Sequence, residues 1–73
     1  MIYAMCVIRD KRADTFAIPF FARNKATAQR DFESLMKDPG SLPGKFPEDY
    51  VLYYFGDYDD ETGDMILRDR EPI

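Results

Sequence analysis

The sequence predicts an α+β fold: a four-stranded antiparallel sheet in the chain order ββαββ, with one helix on one face. Three observations carry that prediction. Two apolar, aromatic-rich runs near the start are split by a polar turn, one stretch in the middle has helical spacing, and two further strand-like runs flank an acidic turn. The 73 residues contain no repeat and no linker, so they make a single domain, 1–73.

The first strand is the apolar run Ile2–Ile8, and the second is Phe16–Ala22, joined as a hairpin through the charged segment RDKRADT. Pro19 has no N–H for a ladder, so the second strand belongs at an edge or carries a bulge there. Asn24 is a helix N-cap, and Ala28, Phe32, Leu35 and Met36 behind it recur at the spacing of one helical face. Asp38-Pro39-Gly40 ends the helix near residue 37. Residues 39–49 hold three prolines and two glycines and read as a connecting loop. The third strand starts near Tyr50, Asp60–Gly63 supply a tight turn with Gly63 at positive φ, and DMILRD is the fourth strand.

Ile2–Ile8 and Tyr50–Phe55 are apolar on both sides, the pattern of strands covered twice. They therefore belong at the centre, giving the strand order 2-1-3-4, with the helix crossing over strand 1 in the right-handed sense. One helix covers only one face. The other face would carry Tyr3, Met5, Tyr53 and Phe55, a patch that soluble monomers avoid. A second copy, as a homodimer, is the expected cover, and the alternative is the Pro-rich loop folded beneath the sheet.

Chains of this size rarely gain more than about 3–5 kcal/mol from one core, which also favours association. Cys6 is the only cysteine and there is no histidine, so an internal disulfide and a Cys/His zinc site are both excluded. No stretch reaches the roughly 18–20 apolar residues of a membrane span, and no signal segment opens the chain. The expectation is a soluble cytoplasmic protein without membrane contact.

The net charge of −4 is unevenly spread. Residues 1–37 carry seven Lys/Arg against four acids, +3, whereas residues 38–73 carry three against ten, −7. The overall field opposes a polyanion, so nucleic acid requires a basic face turned away from the acidic half. The candidates for that face are Arg9, Lys11 and Arg12 at the hairpin tip, with Arg23, Lys25 and Arg30 around the helix start.

The acidic run FGDYDDETGDM fails as an EF-hand. Asp57, Asp59 and Glu61 suit the first liganding positions, but Thr62 stands where glycine is needed and Arg68 where a bidentate glutamate is needed. A solvated hairpin turn is the simpler reading, with no metal and no cofactor. Nucleophilic catalysis needs a base beside its nucleophile, and a chain with no histidine, one cysteine in a core strand and two serines assembles none. No catalytic residue is assigned, and the expectation is that the protein is not an enzyme.

Two long segments resemble the small nonstructural protein of the gokushovirus-type microviruses, phages with single-stranded DNA. In IRDKRADTFAIPFFARNKATAQRDF the matching positions are Asp10, Lys11, Ala13, Phe16, Pro19, Phe20, Asn24, Ala28, Arg30 and Phe32. In FPEDYVLYYFGDYDDETGD they are Pro47, Asp49, Tyr50, Leu52, Gly56, Tyr58, Asp59, Asp60, Thr62 and Gly63. The resemblance implies a protein of the bacterial host's cytoplasm, absent from the virion. It would assist phage DNA replication or the switch to single-stranded DNA synthesis and packaging, and such proteins are often described as DNA-binding. It transfers no binding residue, and relatives with a longer C-terminal tail are common. Its partners would be single-stranded DNA or phage and host replication proteins. The alternative is an acidic protein-interaction module that mimics phosphate, occupies a DNA-binding protein and never touches DNA.

Overall fold

The structure, a computed structural model, describes all residues 1–73. Its elements are β1 (Ile2–Asp10), β2 (Thr15–Phe16), β3 (Phe20–Ala22), α1 (Lys25–Lys37), the single helical turn α2 (Leu42–Lys45), a 3₁₀ turn at Pro47–Asp49, β4 (Tyr50–Asp59) and β5 (Met65–Pro72). The class is the expected α+β, an antiparallel sheet with one main helix. The sheet runs β2-β1-β4-β5, with β3 also paired to β1, so β1 and β4 are central as expected.

The predicted second strand is two short pieces. Phe16 faces Arg9 and Phe20 faces Cys6, so three residues, Ala17 to Pro19, span what two residues cover on β1. The extra length loops out at Ile18, which is 89% exposed, because Pro19 has no N–H to continue the ladder. The fourth strand is longer than DMILRD and runs on to Pro72.

Asn24 caps α1 by accepting a 2.8 Å hydrogen bond from the Thr27 N–H, and the helix stops at Lys37, as its spacing predicts. Its contact with the sheet rests on small side chains. Ala28 on the helix meets Ala4 and Ala22 on β1 and β3, which brings backbone close to backbone, and Cys6, Leu52 and Tyr54 complete the core. Ile8, Phe20, Phe32 and Ile73 pack around this cluster. Residues 39–49 are more ordered than a plain loop: Ser41 accepts from the Gly44 N–H and, with Pro43, starts the α2 turn. This segment lies against α1 and the β1–β2 turn, where the Lys11 N–H donates to the Asp49 carbonyl, and leaves the far face of the sheet uncovered.

On that far face Met5 and Val7 are nonetheless only 7% and 2% exposed. Phe16, Tyr53 and Phe55 form a triangle of edge-to-face rings with centroids 5.9–6.3 Å apart. Phe21 and Tyr58 form a second ring pair at 5.3 Å. Rings from neighbouring strands thus shield the central apolar residues and stand in for a second layer.

Phe55 sits in a bulge. Met5 faces Gly56 and Cys6 faces Tyr54, leaving Phe55 without a β1 partner, and on the other side Arg68–Arg70 all lie opposite it. Gly56 has φ +156°, and β5 crosses so close that a Cβ there would lie 2.1 Å from the Ile66 carbonyl oxygen. Only glycine fits that crossing. Asp60–Gly63 form the expected turn, closed by the Gly63 N–H to the Asp59 carbonyl, with Gly63 at φ +77°. β5 is the free edge of the sheet, and every one of its residues is exposed.

Candidate functional site

The six candidate cations fall into separate groups. Lys11 and Arg12 stand in the β1–β2 turn, where the Asp10 carboxylate accepts from the Arg12 and Ala13 N–H groups at 3.1 Å. Arg23 follows Ala22, whose partner is Ala4, so it lies at the other end of β1. Seven strand residues, about 24 Å, separate those ends. Arg30 projects from the exposed side of α1. No single basic patch gathers all six.

Beside Arg12 the Pro-rich segment brings Lys45 and Phe46 to a shallow groove of about 270 Å³, with Glu48 and Asp49 on its wall. At the opposite end, Lys25 donates to Glu71 at 2.6 Å and lies 4.3 Å over the Tyr54 ring. The hydrogen bond to Glu71 is the main cause that raises the Lys25 pKa. Tyr54 in turn donates to one Asp57 oxygen at 2.6 Å, and Arg68 Nε donates to the other at 2.9 Å. The Tyr54 hydroxyl, followed by Arg68, holds the Asp57 carboxyl below the ordinary carboxylate range, while the same bond raises the Tyr54 pKa. This chain of contacts links α1, β4 and β5, with the Lys25–Glu71 pair at its solvent-exposed end.

Arg9 stands apart from the turn cations. Its guanidinium lies 4.9 Å from the Phe16 ring centroid and pairs with the exposed Asp14. Arg70, from β5, lies 5.2 Å from the same ring and 5.9 Å from Phe55. The four residues expected at a dimer interface are all on this side of the sheet, with Met5 buried beneath the rings and Tyr3, Tyr53 and Phe55 half-buried. The exposed apolar groups here are Leu67 at 73%, Met65 at 59%, Phe21 at 45% and Phe16 at 40%. Sequence reasoning missed Arg70 and Phe16. The Arg9–Phe16 register of the hairpin could have found Phe16, but Arg70 reaches the face only through the irregular pairing around Phe55.

Elsewhere the chemistry is sparse. Asp59 accepts from the Glu61 N–H at 2.9 Å and Thr62 from the Asp64 N–H at 3.2 Å, so two of the turn's side chains serve its own backbone. No three acidic or thiol groups converge as a metal-ligand set. Cys6 is fully buried, and that burial raises its thiol pKa. No helix is long and apolar enough to cross a membrane.

The profile of the Phage ORF5 protein family matches residues 3–72, from β1 to the end of β5. The chain belongs to that family. The match covers β1 from its second residue and every later element. No curated protein and no solved structure matches the chain.

Proposed function

We propose that this phage ORF5 protein is non-catalytic and assists replication of a single-stranded DNA phage, or the switch to single-stranded synthesis and packaging, by contacting DNA. Membership of a phage family across residues 3–72 supports the setting, and the resemblance of both sequence halves to microvirus nonstructural proteins supports the role. The observation that carries DNA contact is the sheet face on which Arg9 and Arg70 lie over the exposed Phe16 ring, and Arg70 also over the half-buried Phe55 ring, with no element above them.

The rival reading is an acidic module that occupies a DNA-binding partner. It is favoured by the β4–β5 turn, where Asp59, Asp60, Glu61 and Asp64 crowd one exposed tip. A labelled oligonucleotide titrated with the protein at low salt separates the two. Binding that weakens as salt rises is the expected result. Absence of binding at low salt eliminates the DNA reading and leaves the acidic tip as the working surface.

A further inference from the structure

We infer that the face opposite α1 is a platform for unpaired bases, with Phe16 and Phe55 as stacking surfaces and Arg9 and Arg70 as the cations that meet the strand. This rests on the proposed DNA contact and names the groups on that sheet face that would hold the strand, in place of the hairpin-tip cations the sequence suggests.

The argument starts from how the sheet divides its charge. Asp57 faces Ala4, Asp59 faces Ile2 and Glu71 faces Tyr54, so these carboxylates share the side that carries the core and α1. Arg9 and Arg70 lie on the other side, against Phe16. The acidic half of the sequence therefore does not make this face acidic. Its carboxylates are Asp14, exposed and paired to Arg9, and Asp69 on the rim of a shallow groove of about 380 Å³ beside Phe55. With Asp14 82% exposed, its pair with Arg9 is screened by water and contributes little.

The face offers aromatic rings, flat guanidinium groups laid over them, and exposed apolar surface at Leu67. A single strand supplies the matching parts, because each base has a π face and each phosphate a negative charge. A duplex hides its base faces in its own stack. A second copy is the poorer occupant: a two-fold interface would press the Arg9–Arg70 face onto itself and desolvate like charges.

Stacking rather than charge then dominates, which gives the inference its signature. Two arginines on a single strand predict a logarithmic salt slope of only about 1.4, against roughly 4 for all six of Arg9, Lys11, Arg12, Arg23, Lys25 and Arg30.

The test is fluorescence anisotropy of labelled oligothymidylate and of a duplex of equal length over a salt series. It uses wild type, Phe16→Leu, Phe55→Leu, Arg70→Gln and a Lys11→Glu/Arg12→Glu variant, each first shown to be folded by circular dichroism. Leucine keeps the apolar cover and removes the π face. The expected result is preference for the single strand, a shallow slope, and roughly 5- to 100-fold weaker binding for each leucine variant. Binding with a steep slope that survives both leucine changes but collapses in the Lys11/Arg12 variant overturns the platform and preserves DNA contact. No binding by wild type removes both. Self-association of wild type that the leucine variants abolish assigns the face to a second copy instead, and equally overturns the platform.

Discussion

Gly56 is the residue on which the β4–β5 pairing turns. Its φ of +156° and the Ile66 carbonyl against it leave no room for a side chain. Gly56→Ala must therefore strain the backbone and push β5 outward, costing about 2 kcal/mol or more and lowering the melting temperature by about 8–16 °C. A thermal melt followed by circular dichroism checks this. Asp57 makes a pH prediction. Its carboxyl is held low in the folded chain, so the stability it contributes is complete above the ordinary carboxylate range and is lost as pH falls through the lowered value. Denaturant midpoints measured from neutral pH downward should show Asp57→Asn less stable than wild type at neutrality. The gap should close in acid, and a constant gap would mean that the Tyr54–Asp57–Arg68 chain contributes no charge-linked stability.

At the scale of elements, α1 was the most legible part of the sequence. An asparagine cap, one apolar face and a proline beyond the end each act locally, and all three agree with the observed Lys25–Lys37. The Asn24 cap closes on the Thr27 N–H, so Asn24→Ala should cost about 1 kcal/mol and lower the melting temperature by about 4–8 °C. The strands were legible in type and order but not in extent. Pro19 announced an interruption, yet nothing local said that the excess residue would leave the ladder at Ile18. β5 was cut short because Arg68-Asp69-Arg70-Glu71 has no apolar alternation. That stretch is held by distant partners, Asp57 and Lys25 among them, which are invisible to a window of neighbouring residues.

For the whole molecule, the sequence stated the right problem: one helix cannot cover both sides of this sheet. The expected solution was a second copy or the Pro-rich loop. The loop instead docks beside α1, and part of the cover comes from the sheet's own rings. The scattered basic residues show the same limit. The sequence alone cannot say whether they gather in one patch; β1 extends between the two groups and holds them at its opposite ends. Net charge, which the sequence gives exactly once per chain, says nothing about which side of a sheet each charge occupies. That depends on register, and register was fixed by pairings such as Ala4 with Asp57.

The uncovered border at β5 also governs how two such molecules meet. Across a two-fold axis, antiparallel strands pair each residue with its own copy or with one an even number of positions away. In Arg68-Asp69-Arg70-Glu71 every such pairing sets arginine against arginine or acid against acid. Registers centred on these four residues are therefore disfavoured, so their order limits how the fully exposed rim can pair with its own image.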